Sequence, residues 1–312
     1  MASNTLEPWS LEQISARVQS RTTHDKGRCL YTRVPLAPGD VVFVEGPLFS
    51  SLPKDHPDLW ATLTSAAGDL PTRTGRSALE LPASWHLAAL VSTLNTNYRL
   101  RERMYDKWSP STDSNTLDCD YILQYVAEGE GDAGDLRALR EGCESGPEGR
   151  ALLLKTYCRL LSIWRYNSFG HFSEGEGLVM YDTVSLMSHS CEASCCWHYG
   201  SGESFVLRAR AHLQPGDELS ISYINDEDLS KSTDQRRLKL SGWLFTCNCT
   251  RCQRDLDLCR GFLCPRCQYG SCFFSQEQGA LAPCNACASP PAEHLVGKSR
   301  FFFLKYRHGH QF

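Results

Sequence analysis

The chain has 312 residues, of which 41% are hydrophobic, and its 32 basic side chains are nearly balanced by 36 acidic ones. This length and composition are enough to bury a substantial core, and the small net charge excludes the strong overall field that would indicate nucleic acid or an anionic membrane as a partner. The first residues lack the features of a signal peptide, and no run of about eighteen apolar residues is present to span a bilayer. We therefore expect an intracellular globular protein of the cytoplasm or nucleus, with no membrane partner.

The first predicted elements are short strands. Residues 26–49 alternate short apolar runs with turn residues, among them Pro38-Gly39 and Gly46-Pro47. This pattern predicts two or three strands joined by tight turns, and Val41 to Val44 is the clearest candidate for a buried strand.

The following segment favours helices instead. Apolar residues recur there at helical spacing in two stripes, and Ser84 is the candidate N-cap of the first. The first stripe contains Leu87, Leu90, Val91, Leu94 and Tyr98, and the second contains Leu152, Leu153, Tyr157, Leu160, Leu161 and Trp164. We interpret both stripes as core packing of a helical insert.

Short strands return after the insert. Apolar runs at 204–209 and 219–223 flank a turn sequence at 214–217, and a charged helical stretch follows Asp234. We expect this second β segment to join the first one in space. The predicted fold class is therefore α+β, in which short sheets carry a helical insert and small cysteine-rich modules follow on the C-terminal side.

The sixteen cysteines need an explanation other than disulfides. An intracellular compartment keeps thiols reduced, and cysteine clusters there usually indicate metal. Two Cys-x-x-Cys knuckles have a spacing that lets four thiolates surround one zinc ion: Cys264, Cys267, Cys284 and Cys287. The segment between them is too short for a core of its own, so zinc would supply its folding energy. Cys259 and Cys272 are rival ligands.

A second set of thiols is less complete. Three of them fall within six residues, at Cys247, Cys249 and Cys252. A closed structural zinc site needs a fourth ligand from elsewhere. The best candidate is Cys191, which follows Ser188-His189-Ser190, and Cys195 and Cys196 are weaker alternatives. If Cys191 completes the set, the metal connects the cysteine-rich region to the loop at 188–191 and helps to build the pocket between them.

Five short motifs follow one another along the chain: Lys26–Leu30 (KGRCL), Asn167–Phe169 (NSF), Ser185–Cys191 (SLMSHSC), Gly216–Tyr223 (GDELSISY) and Phe245–Cys252 (FTCNCTRC). Arg236–Leu238 (RRL) lies between the last two. With the cysteine block, this order resembles the SET domain, and specifically the SMYD-type methyltransferases, whose SET domain is split by an insert and followed by a cysteine-rich post-SET segment. The resemblance covers residues 24–50 and 164–290.

The resemblance implies an order of domains. They are the N-terminal half of the SET domain (1–50), the helical insert (51–163), the C-terminal half of the SET domain (164–246), the post-SET zinc-binding region (247–290) and a tail (291–312). It also implies an enzyme that transfers methyl groups from S-adenosylmethionine to the side-chain amine of a lysine in a protein, histone or non-histone. Two or more structural zinc ions are expected.

Site residues are implied position by position. The residues expected to bind the cofactor are Lys26, Arg28, Asn167, Ser185, Ser188, His189, Tyr223 and Phe245, the last by covering the adenine face. The lysine channel is expected to be walled by Phe169, Tyr223 and Trp243, with Tyr223 as the catalytic residue. The implied metal ligands are the two sets of four cysteines, one of them completed by Cys191.

The chain departs from the family pattern at a few positions. Ser188 stands where the family has Asn, and Cys29 stands where it has a second glycine. A serine offers one hydroxyl in place of an amide, so we expect a polar contact to the methionine end of the cofactor to be lost or passed to water. The insert has Cys119, Cys143 and Cys158 but no paired knuckles, which indicates an SMYD-like chain without a MYND finger.

The chemistry of methyl transfer fits these residues. A dry aromatic channel favours the neutral lysine amine, and the Tyr223 hydroxyl can orient that amine as charge moves. Apart from the resemblance, Tyr223 is a strand-end aromatic residue that packing alone could explain. His189 could be a zinc ligand, an acid-base group or a buried hydrogen-bonding residue, and we favour a structural role in the cofactor loop.

Two other functions are compatible with the sequence. The first function is that of a catalytically weak SET protein that binds a partner through its zinc modules, and it is suggested by Ser188 and Cys29. The second, a zinc-ribbon nucleic-acid binder, is suggested by arginines and aromatic residues between 251 and 269, although such charge more often forms a solvated face. No feature of the sequence indicates an oligomeric state.

Overall fold

The chain divides into two compact units. The first unit comprises Met1–Met187 and Trp197–Glu218, and the second unit comprises Ser188–Cys196 and Leu219–Phe312. The structure is a computed structural model that describes residues 6–55, 57, 60–61, 89, 92–93, 98–108, 159–160, 162–171 and 177–293.

Short strands and short helices make up both units. The strands are β1 (Val18–Thr23), β2 (Gly27–Thr32), β3 (Val41–Glu45), β4 (Phe49–Ser51), β5 (Ser168–His171), β6 (Gly177–Met180), β7 (Ser188–His189), β8 (Cys195–Tyr199), β9 (Phe205–Ala209), β10 (Glu218–Ile221), β11 (Leu256–Leu263), β12 (Ser271–Ser275) and β13 (Ala280–Leu281). The helices are α1 (Leu11–Arg17), α2 (Tyr98–Lys107), α3 (Asp226–Leu229), α4 (Thr233–Leu240) and α5 (Thr250–Gln253), with single turns at Val184–Leu186, Ser201–Glu203 and Ser241–Trp243. Residues 162–167 are also helical. The predicted α+β class is confirmed.

The N-terminal region of the first unit is a helix followed directly by a hairpin. A capping box starts α1, because the Gln13 N–H donates to the Ser10 hydroxyl and the Ser10 N–H donates to the Gln13 side chain. Strands β1 and β2 then pair antiparallel, from Val18 opposite Thr32 to Thr23 opposite Gly27. Gly27 has φ +72°, a conformation that glycine adopts without strain, so the hairpin turns at this residue.

The sheets of the first unit join sequence from before and after the insert, as predicted. Strand β3 pairs antiparallel with β9, and β6 lies between β4 and β5. Val42, Phe43 and Val44 are all fully buried. A continuous apolar run of this kind is typical of a strand that is covered on both faces, and it forms the centre of the core.

The insert is described in part. Helix α2 lies within it, and Leu160 and Trp164 of the second apolar stripe are fully buried, which agrees with core packing. Most of the first stripe, the remainder of the second stripe and the three insert cysteines lie outside the described residues, as does the tail from 294. Among the described residues, no helix has the length and apolar character that crossing a membrane requires.

The second unit contains both cysteine-rich modules. Strand β7 pairs in parallel with the end of β10. Helices α3 and α4 follow with side-chain caps at Asn225 and Ser232, and α4 confirms the predicted charged helix. Strands β11, β12 and β13 form an antiparallel sheet in that order.

Candidate active site and metal centres

An ion pair holds the loop that leads into β2. Lys26 Nζ donates to both carboxylate oxygens of Glu218, at 3.0 and 2.7 Å. Burial lowers the pKa of Lys26, but the hydrogen bond and the charge of Glu218 outweigh burial and raise the pKa above its usual value. Arg28, two residues further on, is exposed. The Lys26 side chain is therefore engaged within the protein, whereas the Arg28 side chain faces solvent.

Cys29, which replaces the usual glycine of the motif, is accommodated without strain. Its side chain is fully buried, and its Sγ atom lies 3.8 Å from the Thr23 hydroxyl. Burial raises the pKa of the thiol. The backbone φ of Cys29 is not positive, so this position does not require glycine.

A buried carboxylate fixes the loop that carries Ser185. Glu45 is 3% exposed, and its two oxygens accept the backbone N–H groups of Thr183 at 2.7 Å and Val184 at 2.9 Å. Burial raises the pKa of Glu45, and the two hydrogen bonds act in the opposite direction. The carboxylate therefore holds two successive amides of the backbone that leads to Ser185.

The insert helix contacts the same loop through Ser185 and Asp182. The Ser185 hydroxyl accepts the Trp108 indole N–H at 2.9 Å and donates to the Asp182 carbonyl at 3.1 Å. The Asp182 carboxylate forms ion pairs with Arg103, at 2.9 Å, and with Lys107, both on α2. The hydroxyl keeps one lone pair for a further donor.

The other predicted residues of the first unit lie around β5. The Asn167 amide donates to the Ile163 carbonyl at 2.8 Å, which leaves its oxygen for another contact. The Phe169 ring makes edge contacts with Tyr181, Trp197 and Phe205, with centroids 5.2–5.8 Å apart. Phe169 thus belongs to an aromatic cluster whose other members the sequence did not identify.

In the second unit, His189 connects the backbone at Tyr223 to a thiol. Its Nδ1 atom accepts the Tyr223 N–H at 3.0 Å, so the proton of the neutral ring lies on Nε2, which is 3.3 Å from Cys191 Sγ. Burial lowers the pKa of His189 to about 4, and the ring is therefore neutral at pH 7. His189 can donate to the Cys191 sulfur but cannot hold a metal through the nitrogen that binds Tyr223.

Tyr223 is surrounded by rings of the same unit. Its centroid lies 5.4 Å from that of His189, 5.6 Å from that of Trp243 and 6.3 Å from that of Phe245, which is perpendicular to it. Leu244, between Trp243 and Phe245, has φ +63°. This left-handed residue reverses the chain, so that the residues on both of its sides approach Tyr223, at a cost of about 1–2 kcal/mol for a non-glycine residue.

The first thiol cluster consists of Cys191, Cys247, Cys249 and Cys252. Their four Sγ atoms lie within 4.8 Å of one another, with Cys191 at 3.9 Å from Cys247 and 3.6 Å from Cys252. Zinc with Zn–S bonds of about 2.3 Å holds its sulfurs about 3.8 Å apart, so the spacing fits a tetrahedral site. The alternatives Cys195 and Cys196 are not part of this group.

A buried guanidinium lies beside the first thiol cluster. Arg236 is 0% exposed, and its Nη2 atom donates to Cys252 Sγ at 3.5 Å. Burial lowers the pKa of Arg236, but the Cys252 hydrogen bond and nearby anionic groups outweigh burial and raise the pKa. Arg236 also binds Asp257, which is 1% exposed and bonded to Arg251 at 3.3 Å. The sequence motif contained Arg236 without indicating this contact.

The second thiol cluster consists of Cys264, Cys267, Cys284 and Cys287. Its sulfurs are also within 4.8 Å of one another, with Cys264–Cys287 and Cys267–Cys284 both at 3.7 Å. The residue after each knuckle, Gln268 or Ala288, has φ near +60°. Each knuckle is therefore a tight turn that directs two thiols to one point. The rivals Cys259 and Cys272 lie outside this group.

Comparison with known proteins gives the family. The family model described as SET domain matches residues 27–224. The chain belongs to the SET-domain family. Histone-lysine N-methyltransferase SMYD3 of Mus musculus is 34% identical over 89 residues, and histone-lysine N-methyltransferase SET5 of Yarrowia lipolytica is 38% identical over 78 residues. N-lysine methyltransferase SMYD2 of Rattus norvegicus is 36% identical over 83 residues. These SET and SMYD relatives confirm the predicted resemblance.

The matches cover a limited part of each relative. The alignments take in 27%, 24% and 26% of this SET-domain chain and 20%, 17% and 18% of SMYD3, SET5 and SMYD2 respectively. The chain thus spans about a fifth of the length of the curated relatives that it matches. The structure of Rubisco LSMT bound to AdoMet is 15% identical with a TM-score of 0.43, covering 74% of this chain and 52% of that one.

Proposed function

We propose that this SET-domain chain is a protein-lysine methyltransferase that uses S-adenosylmethionine. The observation that carries the proposal is Tyr223, which stands at the end of the SET match with the rings of Trp243 and Phe245 around it. The matched relatives named as lysine methyltransferases support it. A protein that presents a lysine is then the partner.

The reaction requires a neutral amine aligned with an electrophilic methyl group. S-adenosylmethionine, when bound, supplies a methyl group on a positively charged sulfur. The lysine nitrogen would form a bond to that carbon as the carbon–sulfur bond breaks, and the methylated ammonium would then lose a proton to water. Rings beside the amine exclude water and disfavour the ammonium form, while their faces stabilise cationic charge. We assign these tasks to Trp243 and Tyr223, and the orientation of the amine to the Tyr223 hydroxyl.

The backbone of Tyr223 has a defined anchor. The Tyr223 N–H binds His189, and His189 in turn faces Cys191 of the first thiol cluster. We propose that zinc fills this cluster and the second thiol cluster, each as a closed four-thiolate site. Zinc in the first thiol cluster then fixes Cys191, and through His189 it fixes the position of the catalytic tyrosine.

The predicted cofactor residues remain predictions. In the first unit, the exposed Arg28 side chain is a donor group of the kind that an adenosyl amino acid needs. The Asn167 amide oxygen, which accepts no hydrogen bond from the residues that the structure describes, and the remaining lone pair of Ser185 are suitable acceptors. Lys26 is held by Glu218, so we assign it a backbone contribution. In the second unit, Ser188 and His189 lie in β7, and Phe245 is 36% exposed, which suits a ring that covers a ligand.

The nucleic-acid alternative is less favoured because its arginines have internal partners. Arg251 binds Asp257, Arg254 binds Glu192 at 2.9 Å, and Arg260 lies over the Phe274 ring at 4.4 Å. Arginines engaged in this way offer less positive charge to a phosphate backbone.

The test is methyl transfer by the full chain. The protein, loaded with zinc, is incubated with isotope-labelled S-adenosylmethionine and a proteome extract, and methylated lysines are mapped by mass spectrometry. We expect label on lysine nitrogen, and none with heat-denatured enzyme. Binding of the cofactor without any lysine methylation would favour the catalytically weak SET protein instead.

A further inference from the structure

Two buried arginines lie beside the first thiol cluster, and one of them, Arg236, contacts a cluster sulfur directly. Arg236 makes four hydrogen bonds: Nη1 donates to the Lys231 carbonyl at 2.6 Å and to Asp257 at 3.2 Å, and Nη2 donates to the Thr233 hydroxyl at 3.0 Å and to Cys252 Sγ at 3.5 Å. All of these partners lie in the second unit. The contact with sulfur joins the guanidinium to a candidate metal ligand.

A count of charges explains why an arginine can be buried there. Arg236 and Arg251 share the carboxylate of Asp257, so within the described part of the chain one of the two positive charges has no carboxylate partner. Burying an uncompensated charge is strongly unfavourable. A zinc ion with four thiolates carries two negative charges. The cluster is therefore the counter-charge that this arginine pair lacks.

We propose that Arg236 is a positioning residue of the first thiol cluster, which holds the Cys252 thiolate through its Nη2–H···Sγ hydrogen bond and thereby retains the zinc ion. The inference rests on the proposal that zinc occupies this cluster. A positively charged N–H donor at the sulfur stabilises the negative charge that a zinc-bound thiolate carries, and it holds the ligand atom in place. The same hydrogen bond makes the sulfur a weaker nucleophile, so Arg236 also protects Cys252 from alkylating reagents.

The second thiol cluster has no such donor among the described residues. Its sulfurs accept the backbone N–H groups of Gly270 and Ala286, each at 3.4 Å, and Cys287 is bonded to the Ser289 hydroxyl. Arg266 contacts Ser289 and not a sulfur. We therefore expect the second cluster to release zinc faster than the first.

The chain offers a graded set of variants. Arg236→Met keeps much of the buried volume and leaves Asp257 paired with Arg251. Arg236→Lys keeps the charge but loses the fork that reaches several acceptors at once. The matched control is Arg254→Gln, which removes one positive charge from an exposed pair with Glu192.

The experiment follows zinc release from the full chain into excess chromogenic chelator. Wild type should show two phases, and Cys284→Ser should remove the faster one. Arg236→Met should accelerate only the slower phase, by about 10–100-fold, as is typical when an outer partner of a metal ligand is lost. The rate of the slower phase in Arg236→Lys should lie between those of wild type and Arg236→Met. In Arg254→Gln both release rates should stay within about twofold of wild type, because an exposed ion pair contributes little.

Alkylation mapped by mass spectrometry distinguishes this role from a general loss of stability. In zinc-loaded Arg236→Met, Cys252 should be modified faster while Cys191 keeps its wild-type rate. If the first thiol cluster of the wild-type protein is found to hold no zinc, both the zinc proposal and this inference are overturned. Zinc in wild type, with unchanged release and unchanged Cys252 reactivity in the variant, would overturn the role of Arg236 alone. If Arg236→Met does not fold, the same two measurements on Arg236→Lys decide.

Discussion

Each of the two thiol clusters offers four cysteine sulfurs, but the surroundings of the two clusters differ. The second cluster takes all its cysteines from residues 264–287 and packs against the sheet that the same segment forms, with Leu281 beneath it. The first cluster takes three cysteines from 247–252 and the fourth, Cys191, from far upstream, and it packs against Ile224, Leu240, Tyr223 and Trp243. A local set of ligands stabilises its own segment, whereas a distant ligand makes the metal part of the surrounding architecture.

The largest effect is expected when the distant ligand is removed. Cys191→Ser should lose zinc from the first thiol cluster and abolish methyl transfer, because both His189 and the cysteine-rich segment lose their anchor. Elemental analysis should still find the zinc of the second cluster. Cys196→Ser, which removes an exposed thiol from the same region, is the control and should behave as wild type. Full zinc content in Cys191→Ser would show that the ligand set is wrong.

The next effect concerns the residue that the first cluster anchors. Tyr223→Phe should keep both zinc ions and reduce single-turnover methyl transfer by about a hundredfold, because it removes one hydrogen-bonding group at the transition state and little volume. Tyr31→Phe, on β2, serves as the matched control. Cofactor affinity, measured by calorimetry, should stay near the wild-type value. An unchanged rate on a verified lysine substrate would refute the proposed mechanism.

A smaller effect is expected at the second cluster. Cys284→Ser should lose one zinc ion and the order of β12 and β13, yet change methyl transfer by less than about twofold, because β11 keeps Asp257 in place beside Arg236 and separate sites act additively. Hydrogen exchange of 264–287 and the transfer rate, measured on one sample, test this difference. A collapse of activity comparable to that of Cys191→Ser would mean that the two modules are not independent.

The smallest effect is expected at Ser188, in β7 next to His189. Ser188→Asn should leave cofactor binding unchanged or tighten it, because an amide reaches further than a hydroxyl and restores the residue usual in the family. Titration calorimetry measures the change. A clear loss of affinity would indicate that the β7 segment has adapted to serine, which is 9% exposed.

Much of the fold could be predicted because it depends on local pattern. The apolar run at Val41–Val44 indicates a buried strand, and the sequence at 214–217 indicates a tight turn, without reference to the rest of the chain. The turn is present, but the strands on its two sides, β9 and β10, belong to different sheets. Helix α1 and strand β1 escaped prediction, although Ser10 and Gln13 form a capping box, because the helix is only seven residues long and β1 follows with no turn residue between them.

The site could be predicted only where residue type limits the alternatives. Four thiols have few roles in a reducing compartment, so cysteine spacing indicated the groups that the structure brings together. Arg236 and Glu45 carry no such signal, because in sequence they resemble ordinary charged residues of a helix and a strand end. Their roles depend on burial and on partners such as Asp257 and Thr183, and residue spacing does not specify either.

The hydrogen-bonded position of His189 makes it a spectroscopic reporter. Its two ring nitrogens have separate partners, the Tyr223 amide on one side and a sulfur on the other. Nitrogen-15 chemical shifts distinguish a protonated ring nitrogen from an unprotonated one, so isotope labelling of histidine would give this residue a characteristic pair of signals. Loss of zinc from the first thiol cluster would change the Nε2 signal, and displacement of the Tyr223 backbone would change the Nδ1 signal. One imidazole would thus record, in solution and without turnover, how metal loading and loop placement depend on each other.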